Sequence, residues 1–227
     1  MLNLDNYEVL TFDCYGTLID WESGIILGLQ PMLKNHDIDL SDTEILNHFA
    51  EIEPQIQQGK YITYSQVLQG VVSKFGKRFG FVPSQDEVNF LPESLKQWRP
   101  FPDTVPALKL LQKKLKLAII SNVDDDLFAF SKNYLETDFD WIITAQQVKS
   151  YKPSLNNFRL ALEKIDLPKS KILHVAASIY HDIVPANFLG IATVWVNRKK
   201  DDRSLSATLP AKGKPDWEVL DLAELCK

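Results

Sequence analysis

Tyr7-Glu8-Val9-Leu10-Thr11-Phe12-Asp13-Cys14-Tyr15-Gly16-Thr17-Leu18 is an apolar run that delivers one carboxylate into a Gly-Thr turn. A charged Asp directly after a buried strand costs solvation free energy unless something pairs with it. The carboxyl end of a first strand is also where open α/β sheets bind ligands. The stretch therefore predicts Asp13 as a catalytic nucleophile, in preference to a helix cap or turn former.

Four more β-rich segments follow: Leu117–Ser121, Trp141–Thr144, Ile172–Ala176 and Ala192–Val196. Several are continuous apolar runs, as expected for strands covered on both faces of a parallel sheet. Helical patterns separate them, starting at Asp103, at Asp124 to Asp126, at Pro153-Ser154 and at Asp182. This alternation predicts an α/β fold: a doubly wound, mostly parallel, Rossmann-like sheet.

Residues 18–99 differ. Ile45, Phe49, Ile52 and Ile56 recur at helical spacing, as do Val67, Val71 and Phe75, and no buried strand stands out. The interval is too long for a simple crossover. It reads as an inserted α-helical cap over a core made of residues 1–17 and 100–227, with Trp98-Arg99-Pro100-Phe101-Pro102 as the rigid return linker.

Of the 227 residues, 45% are hydrophobic, enough for a sizeable core, and the net charge of -5 offers no basic field for nucleic acid. The apolar runs are too short to span a membrane. The N-terminus lacks a basic region followed by an apolar stretch, and only two cysteines occur, Cys14 and Cys226, so the expected location is cytoplasmic. Trp21 and Trp98 could lie under the cap or in a homodimer contact, and spacing leaves that open.

Beside Asp13, Lys152 could keep the nucleophile ionised and steady developing charge; the alternative is an exposed lysine before a Pro-initiated helix. Ser121 and Asn122 could donate hydrogen bonds to a substrate oxygen or merely cap a helix entry. Thr17 could do the same from the first loop or satisfy its turn. Asp182 could orient Lys152, place a hydrolytic water or cap a helix. His181 reads as a surface or interface histidine, Asp124-Asp125-Asp126 as acids serving a helix dipole, and Cys14 as small and buried.

In order, Phe12-Asp13-Cys14-Tyr15-Gly16-Thr17-Leu18, Ile119-Ile120-Ser121-Asn122, Tyr151-Lys152-Pro153 and Asp182 resemble the four motifs of the haloacid dehalogenase superfamily. The Asp-x-Tyr-Gly-Thr form, the Ser-Asn pair and the segments Val194–Arg198 and Pro215–Val219 resemble its type II 2-haloacid dehalogenase branch. The resemblance implies a hydrolase working through an aspartyl ester, without metal or other cofactor, on carbon of a small carboxylic acid. It places Tyr15 in the pocket wall and Asn122 and Phe158 at the substrate, Phe158 standing where the branch has a tyrosine. Superfamily phosphatases carry a second Asp where this chain has Tyr15, and a metal-ligand acid where it has Val175-Ala176-Ala177-Ser178. A Mg²⁺ phosphatase and a non-catalytic small-molecule-binding protein are the alternatives. The dehalogenase branch has an arginine early in the cap, whereas this chain has none before Arg78, and Ala177 and Ile179 replace an expected Ser and Asn.

Overall fold

The computed structural model describes residues 2–200 and 207–227. Six parallel strands form one sheet in the order β3-β2-β1-β4-β5-β6: β1 Val9–Phe12, β2 Lys116–Ser121, β3 Trp141–Thr144, β4 Ile172–Ala176, β5 Ala192–Val196 and β6 Trp217–Val219. The last strand is an addition to the five expected from sequence. Three residues with an exposed Glu218 at the centre are too few to show a periodicity.

Alternation along the strands separates two cores. Leu10, Phe12, Leu117, Ile119, Leu173 and Val175 face one, while Val9, Ala118, Ile120 and Ile172 face the other. Phe12 lies in register with Ile119 on one side and Val175 on the other. The chain leaves β1 toward β2 and β3, then returns to place β4 on β1's free side. The switch point between β1 and β4 is thereby where a doubly wound sheet opens a crevice.

Between β1 and β2 run α1 Trp21–Asn35, α2 Asp42–Gln57, α3 Tyr64–Phe79 and α4 Gln85–Ser94, then α5 Thr104–Leu111. Reciprocal capping boxes start α2 (Ser41 with Glu44), α3 (Thr63 with Gln66) and α4 (Ser84 with Glu87). The stripe read in the sequence is buried: Ile45, Phe49, Val67, Val71 and Phe75 are inaccessible and join the core above Phe12. Trp21 and Trp98 are both buried within this chain, Trp98 edge-on to Tyr15. The segments entering and leaving the helical insertion pair side by side, with Ile19 bridging Tyr15 and Pro100. Asp20 N–H donates to Arg99 O at 2.8 Å and Phe101 N–H to Leu18 O at 3.1 Å.

The remaining helices are α6 Asp125–Leu135, α7 Ala145–Val148, α8 Leu155–Ile165, α9 Val184–Phe188 and α10 Leu222–Leu225. Two expected caps are used otherwise. The Asp103 carboxylate turns from α5 to Arg198 and to the Leu222 N–H, because a guanidinium is the stronger partner. Asp124 does not cap α6; it accepts from Tyr64 N–H and Ser65 N–H, both at 2.9 Å, and so ties α3 to the core.

Candidate active site

β1 ends one residue before Asp13, whose N–H donates to Val175 O on β4 at 3.2 Å. The chain then folds tightly. The N–H groups of Thr17, Leu18 and Ile19 converge on Cys14 O, and Gly16 N–H reaches Ile19 O. Gly16 takes φ +95°, and a Cβ there would come within 2.8 Å of the Trp21 indole nitrogen, so both backbone and space require glycine. This loop swings Thr17 back under Asp13, its hydroxyl donating to Asp13 Oδ2 at 2.6 Å while accepting from Ala177 N–H. Arg198 clamps the loop from outside, with two donors on Thr17 O, two on the Asp103 carboxylate and its face over Phe101.

The Asn122 side-chain amide holds the Lys152 backbone at both ends, donating to Lys152 O at 3.0 Å and accepting its N–H at 2.7 Å. From there the Lys152 side chain runs inward, 1% exposed. Its ammonium donates to Asp13 Oδ1 at 2.8 Å, Asp182 Oδ1 at 2.7 Å and Ile120 O at 2.8 Å. An ammonium has three N–H groups, and all three are spent. Burial disfavours its charge, but the attraction of Asp13 and Asp182 outweighs that and holds its pKa above the ordinary lysine value.

Asp182 comes from a π-helical turn, Ile179–Ile183, after β4, a departure from α geometry that recurs at functional sites. It lies inside that turn, 1% exposed, and its carboxylate goes to Lys152 and His174 where the sequence allowed a helix cap as the alternative. Its Oδ1 also contacts His174 Nε2 at 3.1 Å, and His174 Nδ1 meets Thr11 Oγ1 at 2.9 Å. Burial raises its pKa, yet Lys152 and His174 reverse this and bring it below the usual carboxylate value. Burial raises Asp13 too; there Lys152 offsets only part, because Asp182 repels a second charge.

These groups floor a cavity of about 40 Å³, walled by Tyr15, Trp21, Glu53, Tyr64, Ser178 and His181. Two polar atoms at its floor, Ser121 Oγ and Asp182 Oδ2, are buried without a hydrogen-bond partner. A buried donor and acceptor left open in this way suit a ligand or water.

Of the residues singled out in the sequence, Asp13, Lys152, Asp182, Ser121, Asn122 and Tyr15 come together on the cavity. Asn122 does so with its side-chain amide committed to the Lys152 backbone, so it positions the lysine. Thr17 contacts Asp13 and lies off the cavity wall. Phe158 is elsewhere: fully buried in the second core, its ring edge-on to His174, because α8 covers the sheet face away from the cavity. His181, expected at the surface or an interface, is buried in the wall, on the same π turn that brings Asp182 to the cavity. Burial lowers its pKa to about 4, so it is neutral at pH 7. Cys14 is buried as expected, and burial beside Asp13 pushes its thiol up.

Glu53 and Tyr64 are cavity residues that motif reading did not assign. Glu53 left a signal: it stands four residues after Phe49, an acid in the apolar stripe of α2. Nearby, Tyr61 reaches Asp124 and stacks on Tyr151, Phe101 lies under Arg198, and Lys60 is exposed.

Magnesium needs several hard oxygen ligands in near-octahedral array. Here an ammonium bridges the inward oxygens of Asp13 and Asp182, and the described residues hold no group of three His, Cys, Asp or Glu placed for a metal. The donor set does not fit the ion. Among the described residues no helix is long and apolar enough to cross a membrane.

A model of the haloacid dehalogenase-like hydrolase family matches residues 7–190. The chain is 24% identical over 223 residues to an (S)-2-haloacid dehalogenase of Pseudomonas sp. (strain YL), covering 96% of this chain and 93% of that protein. It is 25% identical over 222–225 residues to relatives of two kinds, an (S)-2-haloacid dehalogenase H-109 of Pseudomonas putida and the pyrimidine 5'-nucleotidase YjjG of Escherichia coli (strain K12), with 96% of each chain covered. In fold it matches the L-2-haloacid dehalogenase from Xanthobacter autotrophicus with chloropropionic acid covalently bound, at a TM-score of 0.80 and 17% identity over 97% of each chain.

Proposed function

The chain belongs to the haloacid dehalogenase-like hydrolases, and on that footing we propose that it hydrolyses a small carboxylic acid at carbon, with Asp13 as nucleophile and no metal. The observation that carries this reading is the buried Lys152 ammonium bridging Asp13 and Asp182. It favours the ionised Asp13 carboxylate that attack on carbon requires.

In the first half-reaction an Asp13 carboxylate oxygen attacks the electrophilic carbon, an ester forms, and the leaving group departs with the bonding pair, as halide for a 2-haloacid. In the second, water attacks the ester carbonyl carbon, the bond from that carbon to the substrate oxygen breaks, the 2-hydroxy acid leaves with one proton of the water, and Asp13 returns as carboxylate as the other proton is released. Asp182 Oδ2, buried and unpartnered, is placed to accept from that water, while Ser121 Oγ is open to donate to a substrate oxygen. Lys152 has no N–H left for substrate and acts as counter-ion to both acids. The same relatives, named as dehalogenases, act on small acids by name; the nucleotidase relative marks the competing reading.

The test is halide release from a 2-haloalkanoic acid in EDTA, with single-turnover mass spectrometry in H₂¹⁸O. Release that vanishes in Asp13→Asn, with ¹⁸O entering Asp13 of the wild type, is the expected result. Undiminished release from Asp13→Asn would sink the mechanism, and phosphate-ester hydrolysis abolished by EDTA would replace it with the magnesium reading.

A further inference from the structure

The cap side of the cavity carries a carboxyl for which the reaction above has no use. Glu53 projects from α2 into the cavity wall and is 3% exposed. Among the described residues its one hydrogen bond is from the Tyr64 hydroxyl, which donates to Oε1 at 3.0 Å, and no cation reaches it. Lys152 has spent its three N–H groups, and His181 across the cavity is neutral. On α3, Lys74 goes to Gln55 and Arg78 to Glu51 on the exposed side of α2, while Lys77 is exposed; on α1, Glu22 pairs with Lys199 and Lys34 is exposed. The other ionisable groups of the cavity are the acids Asp13 and Asp182 and the phenols Tyr15 and Tyr64.

An ionised Glu53 would therefore add an unpaired negative charge to a closed site whose two other acids share one ammonium. Burial, only partly offset by Tyr64, pushes its pKa up to about 7. With Oε1 receiving the Tyr64 proton, a neutral Glu53 has an O–H to give. The cavity otherwise offers a substrate anion no free cation among the described residues, and Ser121 Oγ is its one buried hydroxyl donor left open.

We propose that Glu53 is the substrate-recognition residue of the cap, acting as a neutral acid whose O–H is donated to the carboxylate of the substrate. This rests on the reading of the substrate as a small carboxylic acid, and it accounts for a cap with no arginine before Arg78. An acid–carboxylate pair shares one proton, so recognition is strongest where Glu53 is protonated and the ligand ionised.

The experiment is binding of a 2-hydroxyalkanoate, the product class, followed by Trp21 fluorescence and calorimetry between about pH 6 and pH 9. The ligand stays ionised throughout, so any pH dependence belongs to the protein. Expected for the wild type is an association constant that falls above about pH 7, approaching tenfold per unit. Glu53→Gln keeps an N–H donor that does not titrate and is expected to bind with a flat profile. Glu53→Leu, an apolar residue on an apolar face, should fold and bind at least tenfold more weakly at pH 6. A flat wild-type profile, a Glu53→Gln profile identical to wild type, or no binding of the acid at any pH overturns the proposal. The expected binding profile without halide release would remove the dehalogenation reading and leave Glu53's role standing. Halide release with a flat wild-type profile would do the reverse.

Discussion

Lys152→Met keeps the aliphatic stem and deletes one ammonium, leaving three acceptors stranded: Asp13 Oδ1, Asp182 Oδ1 and Ile120 O. Two carboxylates in a buried site cannot both stay ionised without it, so one retains a proton. Removing one partner of a buried ion pair costs about 3–5 kcal/mol. The pH dependence tells this electrostatic loss from a packing loss. In the wild type, Asp182 has a pKa below its unfolded value, so its stabilisation is present above about pH 4 and is lost as pH falls through the folded value. In the variant the retained proton means a pKa raised above the unfolded value. The native state then binds about one proton more than the unfolded chain, and stability falls by about 1.4 kcal/mol per pH unit above about pH 4. The gap between wild type and variant should thus be small near pH 4 and reach about 4 kcal/mol at pH 7. Urea denaturation at a series of pH values reads it directly, and halide release should be lost at pH 7 in the same protein. A gap of equal size at every pH would refute the argument, since it would mean that Lys152 contributes packing and not charge.

Phe158→Ala should destabilise by about 3–5 kcal/mol through a cavity in the second core while leaving KM unchanged, as kinetics at a temperature where the variant is folded will show. A raised KM at unchanged stability would return Phe158 to the substrate. Asp124→Ala strips the acceptor from two backbone N–H groups at the start of α3 and from the Tyr61 hydroxyl, and should cost about 1–3 kcal/mol. Limited proteolysis should then cut the 59–63 loop before any site in the sheet; an unaltered cleavage rate would count against Asp124 as the tie between α3 and the core.

How legible the chain was follows from how local each signal is. Five strands and the helix starts were readable because long apolar runs and caps are written in neighbouring residues, and three of those strands, Trp141–Thr144, Ile172–Ala176 and Ala192–Val196, run between the expected residues. The Asp13, Lys152 and Asp182 positions followed from motifs at strand ends. What escaped depended on tertiary geometry. One π turn decides that His181 faces the cavity, and an α8 that lies across the far face decides that Phe158 does not. Asp103 prefers a guanidinium 95 positions away over its own helix. Glu53 was visible as an acid in an apolar stripe, but only the fold shows that the gap in the stripe opens on the cavity that Asp13 lines.

The paired entry and exit segments of the helical insertion divide the cavity between two bodies of the chain. Residues 14–19 form at once the loop under Asp13 and one of the two segments on which the insertion is hung, and Arg198 fastens that loop from the sheet side. A motion of the insertion about Ile19 and Pro100 would carry Trp21, Glu53 and Tyr64 with it, while Tyr15, bonded to Ser131 on α6, and Thr17, bonded to Asp13, would stay with the sheet. Enclosure of the cavity thus belongs to the insertion, and the charges on its floor belong to the sheet.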